Sequence, residues 1–197
     1  FHITIRKIPI NQKESIKQRI SEISRYGFPN FFDDQRFGSV ANPQEFLAER
    51  IIRKHYKGAL KLYFTTISPG DKRAEKQRKR NIEKLWGHWQ AIAPLCKTKA
   101  ERDIIKILFK GESKNQLVKA INAIPKEELS MHFSAYQSFL WNLSLEEVLL
   151  KRIQEPFKVK GKIMDYVFYK ALDEEAFIKL KDTSIPTVSY KIPASPD

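Results

Sequence analysis

Cysteine is almost missing from this sequence, with Cys96 standing alone among 197 residues. One thiol cannot close an internal disulfide, and with no Cys/His cluster around it a structural zinc site is not expected. His2, His55, His88 and His132 lie far apart, without metal-ligand spacing. Long apolar runs are missing too: none approaches the roughly 20 residues that span a bilayer. The seven glycines build no Gly-rich phosphate loop, and there is neither an internal repeat nor a low-complexity tract. Acid is in short supply, with 23 Asp and Glu against 36 Lys and Arg, a net charge of +13. Such an excess speaks about partners rather than fold. It points first to nucleic acid and second to an anionic surface. A reducing, cytoplasmic compartment is expected.

What is present suffices for a core: 42% of residues are hydrophobic, in a length that suits one large or two small domains. Residues 1–8 alternate as a strand, with Ile3 and Ile5 on one face. Asn11 and Glu14 have the spacing of a capping box before an amphipathic helix over 12–26 carrying Ile16, Ile20 and Ile23. Asn42-Pro43-Gln44-Glu45 is a helix start, and that helix runs to about residue 56, where Gly58 interrupts it. Residues 59–67 read as helix, ended by Ser68-Pro69-Gly70. Within 71–93, Lys72, Arg73, Lys76, Arg78, Lys79, Arg80 and Lys84 form a basic cluster, followed by an apolar stripe of Ile82, Leu85, Trp86 and Trp89. The cluster reads either as a solvated helix face or as a phosphate-tracking surface. The tryptophans read as core. Thr98 with Glu101 and Ser113 with Gln116 are further capping boxes. Leu129, Phe133, Tyr136, Leu140 and Leu143 mark the buried face of a long helix, which Ser144 and Glu147 can recap. After Pro156 the period changes: strands at 157–160 and 162–169 flank Gly161, Asp173 caps a short helix to about Leu180, and 184–192 is extended again.

One loop stands apart, Gly27-Phe28-Pro29-Asn30-Phe31-Phe32-Asp33-Asp34-Gln35-Arg36-Phe37-Gly38. Four aromatic rings in a loop must be buried or meet a flat partner. Asn30 and Gln35 can donate and accept along the edge of a base, and Arg36 can fork onto phosphate or carboxylate, or stack. The loop is therefore either a wall for a flat polar ligand or an aromatic knot over the core. Arg36 and Phe37 read as the start of a short strand. On residue chemistry alone, Asp33 or Asp34 is the candidate catalytic carboxylate.

Pro29-Asn30-Phe31-Phe32 with Gln35-Arg36-Phe37-Gly38 resembles the Pro-Asn-Tyr-Phe-Gly-x-Gln-Arg-Phe-Gly signature of the TruD family of tRNA pseudouridine synthases. Phe31 replaces the family tyrosine and Asp33 the family glycine. Ser134-Ala135-Tyr136-Gln137-Ser138-Phe139-Leu140-Trp141-Asn142 is similar to the family's Ala-Tyr-Gln-Ser-Tyr-Leu-Phe-Asn helix, and Phe1-His2-Ile3-Thr4-Ile5-Arg6 to the strand before the first motif. The three matches keep family order over residues 1–142.

The resemblance implies an α+β fold. Residues 1–42 would be part of a catalytic sheet domain, and 43–197 a TRUD-type insertion domain, helical to about 155 and then a small α/β part. It implies a uridine-13 type tRNA pseudouridine synthase that detaches, rotates and reattaches a flipped uridine through an aspartate nucleophile, with no cofactor. The family carries that aspartate in Gly-x-Lys-Asp, which these 197 residues lack; Asp33 and Asp34 fall on a family glycine and a variable position. The catalytic residue is thus expected upstream, and the chain as a fragment, or the ordered part, of a longer protein, inactive alone. The implied substrate-binding residues are Asn30 and Phe32, with Gln35, Arg36 and Phe37 bracing the loop or meeting a phosphate. Lys72, Arg73, Lys76, Lys79 and Arg80 are candidates for the RNA backbone. The partner is tRNA, with other RNA as a further class; no membrane is expected, and a monomer is. The alternative is a non-catalytic RNA-binding module that keeps the base pocket.

Overall fold

A computed structural model describes residues 4–40 and 45–188. In chain order these form α1 (Lys13–Tyr26), α2 (Leu47–Ile52), α3 (Tyr56–Thr65), α4 (Arg73–Lys84), α5 (Trp89–Ile92), α6 (Lys99–Leu108), α7 (Lys114–Asn122), α8 (Lys126–Leu150), β1 (Pro156–Val159), β2 (Tyr166–Tyr169) and α9 (Glu174–Lys181). The fold is α+β. Strands β1 and β2 are an antiparallel hairpin with Pro156 opposite Tyr169 and Val159 opposite Tyr166. No helix among the described residues is long and apolar enough to cross a membrane.

Packing divides the described residues into two units. A hairpin unit takes in the chain up to Phe31, then Asn142–Lys160 and Asp165–Pro186; a helical unit takes in Phe32–Trp141, Gly161–Met164 and the chain from Thr187. The core of the helical unit gathers Leu60, Phe64, Ile82, Ile92, Ile104, Ile105, Leu108 and Ile121 from α3 to α7. Each such side chain is worth about 1.5–3 kcal/mol when fully buried. Trp89 is buried in this core and meets Trp86 edge-on at 5.0 Å, in keeping with the sequence reading.

Three of the local capping signals hold. Thr98 Oγ1 accepts from the Glu101 N–H at 3.1 Å while Glu101 accepts from the Thr98 N–H at 3.2 Å, completing the capping box of α6. Ser113 accepts from the Gln116 N–H to cap α7, without the return bond of the expected box, and Asp173 accepts from the Ala176 N–H to cap α9. The Asn11 box does not form. Ile10–Gln12 is instead a 3-10 turn in front of α1, and the helix has no side-chain cap.

Other expectations are corrected by longer-range packing. The strand expected over 1–8 is not formed over its described part, 4–8; Ile5 is 73% exposed there. A strand needs a neighbour, and among the described residues β1 and β2 pair only with each other. Arg36 and Phe37 lie in a 3-10 turn, Asp34–Phe37, because the Asp33 carboxylate caps the Asp34 N–H. The Asn42-Pro43 start lies outside the described residues, and α2 stops at Ile52 rather than near 56. The break falls at Arg53–His55, with Lys54 at φ 62°, while Gly58 sits inside α3. A Cβ at position 58 would meet the Arg50 guanidinium at 2.8 Å, the movable end of a long side chain, so the glycine does not terminate the helix there. The first strand is displaced by one residue, to 156–159, the second is shorter than expected, 166–169, and 184–188 has no regular structure; 189–192 lie outside the described residues.

Helix α8 is unbroken through Ser144 and Glu147. Its buried positions are Ala135, Ser138, Asn142, Leu145 and Leu149; on the expected line Leu129 and Tyr136 pack half-buried against the cores, while Phe133 and Leu143 are exposed. The helix carries apolar residues all round, so periodicity alone does not select a face.

Candidate nucleic-acid site

The signature loop crosses from the hairpin unit to the helical unit at Phe31 and Phe32. In the hairpin unit Gly27 takes φ 72°, a conformation that favours glycine, and the Tyr169 hydroxyl donates to its carbonyl at 2.8 Å. Pro29 is buried and Asn30 exposed. The Phe31 ring packs on Tyr166 at 5.5 Å and Phe168 at 6.0 Å, both on β2, so the ring that replaces the family tyrosine serves as packing. An apolar cavity of about 510 Å³ opens between α1, Gly27–Pro29 and the hairpin strands.

In the helical unit the loop is clamped from several sides. Phe37 is wholly buried among Val40, Phe46, Ala135 and Ile163. Arg36 Nε donates to Ser138 Oγ on α8 at 3.2 Å, and its guanidinium lies 5.6 Å from the centre of the Phe32 ring. The Phe32 ring meets Trp141 edge-on at 5.4 Å yet stays 37% exposed. Asp34 accepts from the Lys162 N–H with both oxygens at 2.9 Å, and Lys162 Nζ donates to the Val40 carbonyl at 2.9 Å. Gln35 is exposed. Asp33 has φ −76°, so the absence of the family glycine brings no backbone strain; its side chain caps the turn instead.

The loop residues singled out from sequence thus fall into distinct settings. Phe32, Arg36 and Phe37 come together, and Asn30 stands in the hairpin unit. Ser138, Trp141 and Lys162 complete the arrangement and were not singled out for these contacts. The helix motif contained Ser138 and Trp141, but nothing in it pairs them with residues about a hundred positions away.

Helix α4 sorts its cations by face. Arg78 turns inward: it donates to Glu75 at 2.8 Å, to the Leu95 carbonyl at 3.0 Å and to both Glu101 oxygens at 3.0 and 3.2 Å. Lys79 pairs with Asp71 at 2.7 Å. Among the described residues no carboxylate pairs with Lys72, Arg73, Lys76, Arg80 or Lys84. Arg73, Gln77, Arg80 and Lys84 are all exposed and share one helix face at spacings of four, three and four.

The inward face has a pH signature. Hydrogen bonds from Arg78 and then Lys97 hold the Glu75 carboxyl down to about 2, from an ordinary 4.5. Its folded pKa lies below its unfolded one, so its stabilisation is full above about 4.5 and is lost as pH falls towards 2. Glu75→Gln is expected to flatten that part of the acid-denaturation profile, read as denaturation midpoint against pH; an unchanged slope there would mean the pair contributes nothing.

Comparison with known proteins follows the same lines. The profile of the TruD family, described as tRNA pseudouridine synthase D, matches residues 1–195. The chain is 33% identical over 196 residues to a probable tRNA pseudouridine synthase D 2 of Methanocaldococcus jannaschii, covering 98% of this chain and 46% of that protein. It is 33% identical over 199 residues to the tRNA pseudouridine synthase D of Aquifex aeolicus, covering 97% and 48%. Similarity extends to the multisubstrate pseudouridine synthase 7 of Schizosaccharomyces pombe, 27% over 146 residues, covering 72% of this chain and 21% of that protein. The chain spans about half the length of the first two relatives. No solved structure matches it.

Proposed function

The chain belongs to the TruD family of tRNA pseudouridine synthases, and from that premise we propose that it is part of an enzyme converting a uridine in the D-arm region of tRNA, of the uridine-13 type, to pseudouridine. The reaction breaks the bond from N1 to the sugar, turns the base and joins C5 to the same sugar carbon; a proton leaves C5 and one ends on N1. The nucleophilic aspartate comes from a Gly-x-Lys-Asp segment of the complete protein, since the motif is absent here.

The observation that carries this reading is the Phe32 ring, held by Trp141 and Arg36 yet partly open to solvent beside a buried Phe37. A ring so held can stack on an extruded base and replace what the base loses on leaving its helix. Exposed Asn30 supplies a donor and an acceptor for the uridine edge or for the aspartate. Arg36 and Phe37 brace the loop, and Gln35, exposed on the same turn, braces it too or meets a phosphate. Residues 1–42 then belong to the catalytic domain and 43–197 to the insertion. The test is the complete protein with a tRNA transcript, followed by mapping of pseudouridine. One modified position in the D arm, lost when the Gly-x-Lys-Asp aspartate becomes asparagine, supports the reading. Binding without modification favours the alternative, a non-catalytic RNA-binding module.

The cations of α4 and its N-cap grip the RNA backbone on this reading: Lys72, Arg73, Lys76 and Arg80, while Lys79 is taken up by Asp71. Changing Lys72, Arg73, Lys76 and Arg80 to glutamate is expected to weaken tRNA binding and to make log K less steep in log salt by roughly 0.7–0.9 for each phosphate no longer neutralised. An unchanged salt slope would make the cluster a solvated face only.

A further inference from the structure

We propose that a groove at the C-terminal end of α4 receives one unstacked nucleobase of a bound RNA strand whose phosphates lie along Arg73, Arg80 and Lys84. This rests on RNA being the ligand of the chain and adds a second point of attachment, separate from the signature loop.

The groove has a volume of about 660 Å³ and lies between the turn that follows α4 and the end of α6. It is shallow and open to solvent, which suits a single stacked base rather than an enclosed ligand. Its shape starts with Gly87, whose φ of 99° is strained for any residue with a side chain. The turn there breaks the helix after Lys84 and restarts it at Trp89. Of its lining residues Trp89 is buried in the core, while Phe109, at the end of α6, is 47% exposed. His88 and Gln90 are exposed groove-lining residues and offer hydrogen-bonding groups for a base edge.

Charge selects the occupant. Lys84 immediately precedes the groove residue Leu85, and Lys110 immediately follows Phe109, so a cation adjoins each wall in the chain. The exposed α4 face of Arg73, Arg80 and Lys84 ends where the groove begins, and among the described residues these cations have no carboxylate partner. A positive track ending at an exposed ring is the pattern by which single-stranded RNA is held: phosphates on the track, a base on the ring. An apolar ligand would leave the track unused, and an acidic peptide would leave the ring unused.

The test uses the complete protein, a tRNA transcript, and a short single-stranded RNA carrying 2-aminopurine, whose fluorescence falls on stacking. Phe109→Ala is expected to weaken binding of both RNAs about 5-fold or more and to remove the quenching, with the salt slope unchanged. Phe109→Tyr keeps a ring and should retain wild-type affinity and quenching. Affinity reduced in both variants, or in neither, overturns the proposal, as does unchanged quenching in Phe109→Ala. Wild-type protein that binds neither RNA overturns the functional reading as well. Wild-type protein that forms pseudouridine, with a Phe109→Ala variant that binds normally, sinks the groove alone.

Discussion

Phe32→Ala in the complete protein is expected to lower kcat/KM for tRNA by roughly 5- to 150-fold, the range for removing one base–aromatic stack. The loss should be large because the ring is preset. Trp141 meets its edge at 5.4 Å and the Arg36 guanidinium lies 5.6 Å from its centre. Arg36 is itself tied to Ser138, and the neighbouring Phe37 is buried. Little ordering is then left to be done when the base arrives, which is how a preorganised site keeps most of its interaction energy. Phe32→Tyr retains the ring and should keep activity within a few-fold. The control is thermal stability: a partly exposed ring should cost little of it on removal, so a large fall in melting temperature would assign Phe32 to the aromatic knot. Near-normal turnover in a well-folded Phe32→Ala protein would end the stacking role.

Arg78→Met is expected to destabilise the helical unit by about 3–5 kcal/mol, the cost of breaking a buried ion pair from one side. Arg78 and Glu101 side chains are only 11% and 9% exposed, and the guanidinium bridges Glu75 and Glu101 while also donating to the Leu95 carbonyl. Glu101 keeps the N–H groups of Lys97 and Thr98, which places the loss towards the lower end of that range. The melting temperature should fall by ~10 °C or more. Arg78→Lys should recover little, because an ammonium cannot fork onto two carboxylates and a carbonyl at once. Adding Glu101→Gln removes the stranded charge and should return part of the stability. If Arg78→Met costs less than about 1 kcal/mol, the range of an exposed pair, or the second change restores nothing, the network is not what holds α4 to α6.

The contrast between Arg78 and its neighbours also shows what was legible in advance. Seven cations stand close together between Lys72 and Lys84, and the pattern alone ranks none above another. The fold separates them. Glu101, 23 positions away, takes Arg78, Asp71 takes Lys79, and an exposed face is left for solvent or RNA. In the same way Phe32 and Arg36 were legible as candidates from the loop's chemistry and its family signature. Their partners Trp141 and Ser138 were not, because packing across about a hundred residues leaves no periodic mark in either segment.

The sequence by itself determined what depends on a turn or two of chain. Thr98, Ser113 and Asp173 cap their helices because the acceptor and the free N–H are three residues apart. The hairpin after Pro156 and the order of the family motifs were likewise set in the chain. Tertiary structure alone decided the buried face of α8, Ala135, Ser138, Asn142, Leu145 and Leu149, because apolar residues all round that helix leave its periodicity without a preferred side. Among the described residues 4–8 form no strand, because none of them offers these residues a neighbour to take up their hydrogen bonds.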